Sequence, residues 1–68
     1  MIKGWVKIYT STDFFKSELV RQVLVDNEIN AVILDKQGSP YKVLGYVEVY
    51  VQEVNEEKAL GIITTNEL

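Results

Sequence analysis

The sequence predicts an α+β domain, a small sheet carrying two helices on one face. Three observations predict it. Apolar residues alternate at period two in WVKIYT (5–10) and YVEVYV (46–51), the mark of half-buried strands. Between them, STDFFKSELVRQVLVDNE places apolar residues at helical spacing behind a cluster of capping residues. A second capped segment, NEEKALGIITT, follows the last alternating run.

In the first strand Val6 and Ile8 point one way, and Trp5, Lys7 and Tyr9 the other. Ser11, Thr12 and Asp13 then offer N-cap oxygens, with Asp13 and Glu18 near the positive end of the helix dipole. Phe15, Leu19, Val23 and Leu24, with Val20 beside them, form the predicted apolar stripe. Asn27 is the residue best suited to a left-handed C-terminal turn. INAVIL (29–34), a short apolar run between polar residues, predicts the second strand. In the third, Val47, Val49 and Val51 share a face, with Tyr46, Glu48 and Tyr50 opposite. Asn55 should cap the last helix, whose apolar side is Ala59, Leu60 and Ile63. Gly61 costs that helix about 1 kcal/mol relative to alanine, so it is expected to be short or frayed. Residues 64–68 are open between a brief last strand and a trailing end.

The order is β-α-β-β-α with an optional short last strand. A strand that crosses over through a helix returns right-handed. The layout that fits is a ferredoxin-like split βαβ sandwich, an antiparallel or mixed sheet with both helices on one face. The first and third strands lie side by side, and LDKQGSPYKVLG (34–45) joins the second to the third. Sixty-eight residues make one such domain, 1–68. A chain this short buries roughly 60% of its unfolded surface, so it usually needs disulfides, a metal or a partner. It has no cysteine and no histidine. A well-packed core, oligomerisation, or both must serve instead.

Formal charge is −3, with lysines and one arginine scattered singly. No basic cluster is present for nucleic acid or an anionic membrane, and neither is expected as a partner. MIKGWVKIYT carries charges inside its apolar run and no stretch could span a bilayer, so a cytoplasmic location is expected.

With the aliphatic face under the helices, Trp5, Tyr9, Tyr46 and Tyr50 should share the opposite one, the candidate oligomer face. Large aromatics concentrate at interface centres, and a monomer rarely leaves so apolar a patch in water. A second subunit, a loop or tail folded over the patch, and a base-stacking RNA platform are the competing covers. A second subunit, in a dimer or trimer, adds core to a marginal domain. RNA stacking lacks the basic motif that usually accompanies it. If the last strand is missing, the first exposes an edge, with Lys3 and Lys7 as its guards.

Catalysis by imidazole or thiolate is excluded without His and Cys. Asp35 and Glu48 are carboxylates that nothing in the spacing brings together, and surface carboxylates are usually solvated. Glu53, Glu56 and Glu57 are explained by a helix start rather than a metal. Gly38 and Gly45 flank Pro40 and make no phosphate loop. No catalytic, cofactor or metal residue is assigned, and the chain is expected not to be an enzyme. Gly38, Ser39 and Pro40 are turn makers that suit a plain connection. The same loop groups Asp35, Lys36, Gln37, Ser39, Tyr41 and Lys42 at one end of the sheet, a candidate partner or ligand loop.

WVKIYT, SELVRQVLVDNEI, AVILDKQGSPYKVLGYVEVYV and VNEEKALGII together resemble a family of small prokaryotic domains catalogued as "putative signal-transducing proteins". The resemblance runs from Trp5 to about Ile63. That family is similar to the PII (GlnB-like) branch of ferredoxin-like folds, whose loop between second and third strands contacts partners. One departure is Glu28, where the family's helix-ending glycine is expected. PII proteins also hold nucleotide between subunits of a trimer, but their basic phosphate-binding residues are not visible here. The resemblance implies a non-enzymatic regulatory module that acts through oligomerisation and protein contact at residues 35–45. An amino acid or nucleotide sensor resembling ACT domains is the alternative.

Overall fold

The computed structural model describes residues 3–35 and 46–68. Strand β1 (Trp5–Ser11) leads to helix α1 (Phe14–Asp26), then β2 (Ala31–Asp35) and β3 (Val47–Gln52). A 3-10 turn, Glu53–Asn55, passes into α2 (Glu56–Thr65). The sheet order is β1-β3-β2, with β3 antiparallel to both neighbours. β1 and β2 therefore run parallel on either side of β3, the expected split βαβ arrangement. Both helices cover one face. Val49 and Val51 pack in one cluster with Val20 and Leu24 of α1 and Ala59 of α2. Residues 64–68 form no strand: they finish α2 and turn, and Leu68 packs against the core.

β1 departs from simple alternation. Val6 stands opposite Val51 and Lys7 opposite Tyr50, but the next pair is Tyr9 with Val49. Ile8 is the extra residue of a bulge, and one inserted residue reverses the facing of everything beyond it. Tyr9 therefore packs against the core and does not join the aromatic face, a correction to the expected set. The bulge lets Ile8 and Tyr9, consecutive in sequence, both contact the core.

The helix stripes are also rotated from the expected ones. In α1 the buried residues are Ser17, Val20 and Leu24, spaced i, i+3, i+7. Phe15 is 88% exposed and Leu19 52%. Ser17 is buried without an orphaned hydroxyl because its Oγ donates to the Asp13 carbonyl at 3.2 Å, and its small size admits the sheet. Asp13 itself caps the helix, accepting from the Lys16 N–H at 3.2 Å. In α2, Ala59 is buried and Ile62 and Ile63 pack beside it, leaving Leu60 exposed. The helix runs unbroken through Gly61 for ten residues, longer than expected. Asn55 makes no side-chain capping bond, because the 3-10 turn already leads the chain into the helix.

Both helices end in the same way. At the end of α1 the Ile29 N–H donates to the Leu24 carbonyl and the Glu28 N–H to the Val25 carbonyl, each at 3.0 Å. These are the paired bonds of a Schellman motif, which requires a left-handed residue just beyond the helix. That residue is Glu28, at φ 64, and not Asn27. Asn27 instead donates its side-chain amide to the Val23 carbonyl at 2.8 Å. At the end of α2, Leu68 bonds Ile63 and Glu67 bonds Thr64, with Glu67 at φ 54. Asn66 donates to the Ile62 carbonyl at 2.8 Å. The chain spells the same cap twice, as NEI and NEL. Ile29 is buried one turn from Leu24, and this contact helps set the rotation of α1 about its axis.

Candidate functional site: the helix-free face at β1

The face turned away from the helices carries Trp5 and Lys7 of β1, Glu48 and Tyr50 of β3, and Val32 and Leu34 of β2. Their cross-strand pairing fixes this. Lys7 stands opposite Tyr50, Val32 opposite Tyr50 on the other side, and Leu34 opposite Glu48. Trp5 and Tyr50 are half-buried, and Tyr46, just before β3, is 42% exposed. Trp5 and Tyr50 thus lie on the expected open face, and Tyr9 leaves it.

At the centre of this face lies a polar cluster. Lys7 Nζ sits 3.3 Å from Glu48 Oε2, and the Tyr50 hydroxyl donates to Glu48 Oε1 at 3.2 Å. Glu48 is 7% exposed, so it is not the solvated surface carboxylate that its sequence position suggests. Burying a carboxylate is unfavourable unless donors replace water, and here an ammonium and a phenol do so, one on each oxygen. Lys7 is thereby a pairing partner on the face rather than a free guard of the edge. The signal in the sequence was the opposite charges on outward positions of two adjacent strands.

Beside the cluster is a concavity of about 260 Å³, lined by Trp5, Val6, Lys7 and Tyr50. Its position follows from the start of β1. Gly4, at φ +83, bends the chain into the strand, and its carbonyl accepts from the Glu53 N–H at 2.8 Å. This bond ties the turn after β3 to the entry of β1. Among the described residues no strand pairs with the outer edge of β1.

Asp35 closes β2 opposite Val47. Lys36, Gln37, Ser39, Tyr41 and Lys42 lie outside the described residues, so the structure does not place the candidate loop against this face. Glu53, Glu56 and Glu57 are exposed in the 3-10 turn and the first turn of α2. Elsewhere, Arg21 forms an ion pair with Glu18 one turn earlier on α1, its Nε 3.2 Å from both carboxylate oxygens. The hydrogen bond from Arg21 is the main reason the Glu18 carboxyl lies below the ordinary glutamate value. Among the described residues no helix is long and apolar enough to cross a membrane.

A family model described as "Putative prokaryotic signal transducing protein" matches residues 5–67. The chain belongs to that family. The matched span takes in all three strands and both helices, and with them the whole Trp5–Lys7–Glu48–Tyr50 face. No curated protein and no solved structure matches the chain. The family description speaks of signalling and names neither a ligand nor a reaction.

Proposed function

We propose that this member of the signal-transducing family is a non-enzymatic regulatory module that works by association. Another protein chain, a second copy or a signalling partner, seats on the helix-free face at β1. The observation that carries this is the juxtaposition of the Trp5–Tyr50 concavity with a strand edge that no other strand among the described residues pairs. An exposed edge offers a row of main-chain donors and acceptors. An aromatic-lined hollow beside it offers an anchor site, and Trp and Tyr are the residues most enriched where binding energy concentrates.

The chemistry of the face fits binding better than turnover. At its centre an ammonium, a carboxylate and a phenol are bonded together, and the chain has no thiol or imidazole to act as nucleophile or base. The test is light scattering over a wide concentration range on the wild type and on Trp5→Ser. The expected result is a wild-type oligomer, or a stable complex with a partner, that Trp5→Ser weakens without lowering the unfolding midpoint by more than the loss of local packing explains. A strict monomer at high concentration that also captures no partner dependent on Trp5 overturns the reading. A small-molecule sensor is favoured only by the concavity itself, and a thermal shift with an amino acid or nucleotide is its signature.

A further inference from the structure

We propose that the Trp5–Lys7 part of the β1 edge takes a short extended segment of a partner protein as an added strand. That segment carries an apolar anchor residue and, two positions away, an acidic one. The inference rests on the association reading above and names the partner's chemistry. Strand addition draws affinity from main-chain bonds and specificity from pockets that receive alternate side chains.

Three features of the face select this occupant. The concavity holds about 260 Å³, below the roughly 300–1,000 Å³ of pockets that enclose whole drug-sized ligands, so it suits one large side chain. Lys7 lines it, is half exposed, and spends one contact on Glu48. An ammonium has three donors, which leaves it able to take a carboxylate from the incoming strand. Residues i and i+2 of a strand share a face, which sets the two-residue spacing between anchor and acid.

Charge also separates a foreign segment from a second copy at this edge. Lys3 and Lys7 are the only charged residues before Asp13, in a chain of formal charge −3. Lys3, just before β1, and Lys7, whose charge Glu48 offsets in part, give this end of the strand its local charge, and an acidic partner complements what remains. Two copies joined edge to edge would set these lysines against each other, and like charges on paired strands are destabilising. The bulge at Ile8 interrupts the edge just past Lys7, so the added strand is short and lies beside the concavity.

The experiment titrates the full chain with the peptide Ac-Glu-Val-Phe-Val-Glu-Ser-NH2. The readouts are fluorescence of Trp5, the sole tryptophan, and amide NMR shifts. The expected result is saturable binding with shifts at Gly4–Ile8 and Tyr50. Binding should weaken at least tenfold when both peptide glutamates are lysines, and severalfold in 0.5 M salt or in Lys7→Gln. The peptide-side reversal leaves the protein untouched, so the outcome does not depend on a variant's folding. No saturable signal, equal binding of both peptides, or shifts confined to α1 overturns the proposal. Shifts at Gly4–Ile8 that grow with protein concentration alone assign the edge to a second copy and overturn it too. If the peptide fails while Trp5-dependent association persists, this inference falls and the association reading stands.

Discussion

Lys7 of β1 and Glu48 of β3 meet across the helix-free face with 3.3 Å between nitrogen and oxygen, and the glutamate is almost wholly buried while the lysine is not. The asymmetry has a consequence for mutation. Removing the lysine takes the opposite charge from a buried carboxylate that keeps its bond from Tyr50, whereas removing the glutamate leaves a half-exposed ammonium that water can solvate.

Lys7→Met should therefore destabilise the chain more than Glu48→Gln. A fully unsatisfied buried group costs about 1–3 kcal/mol, and the bond from Tyr50 that Glu48 keeps sets this as an upper range. Solvent screening of the half-exposed lysine pulls the value toward the low end, about 1 kcal/mol. Urea unfolding of both variants is the check. Equal midpoints would mean that water reaches Glu48 as readily as Lys7.

The helix caps make a second prediction with the opposite sign. Glu28 and Glu67 hold left-handed backbone, which costs an L-residue roughly 1–2 kcal/mol and glycine almost nothing. Glu28→Gly should raise stability by about 0.5–1 kcal/mol after the added freedom of the unfolded chain is deducted. Glu28→Val should lower it. Thermal unfolding reads this as an increase of about 4–8 °C per kcal/mol for a domain of this size. A Tm that falls with glycine would contradict the cap.

Paired truncations on α1 test which stripe faces the sheet. Leu24→Ala removes a fully buried side chain and should cost about 2–5 kcal/mol. Leu19→Ala and Phe15→Ala remove exposed ones and should stay within about 0.5 kcal/mol. If Leu19→Ala proves as costly as Leu24→Ala, the helix is turned the other way.

Acid should weaken one contact on α1. The Glu18 carboxyl lies below its ordinary value chiefly through its hydrogen bond from Arg21. A group depressed in the folded state contributes stability that is present above its unfolded pKa and lost as pH falls through the folded one. Wild type and Arg21→Gln should therefore differ most near neutral pH and converge as pH drops below the ordinary carboxylate range. The pair is partly exposed, so the difference is small and shrinks with salt. A gap that stays constant into acid would show that Arg21 acts through packing alone.

Much of this architecture is legible in the residues themselves. Three valines at period two specify the central strand and its buried face, and STD before FFKSELV specifies a helix start. Three features are not legible, each for a physical reason. The bulge at Ile8 satisfies two apolar residues at once, and strict alternation offers no sign of which residue will be the extra one. The rotation of α1 depends on Ile29 packing beside Leu24, a contact across a turn whose left-handed residue is a glutamate, where propensity favours asparagine. The opposite charges of Lys7 and Glu48 stand on outward positions, but pairing them needs the register between β1 and β3, which no local pattern contains.

The central claim is that another chain seats on the helix-free face at β1, and not on the exposed Phe15–Leu19 side of α1. Site-specific photocrosslinking in the native host tests it most directly, with p-benzoylphenylalanine in place of Trp5 in one strain and of Phe15 in another. The account predicts covalent adducts, to a second copy or a partner, from position 5 and few or none from position 15. Adducts from position 15 with none from position 5 would contradict it.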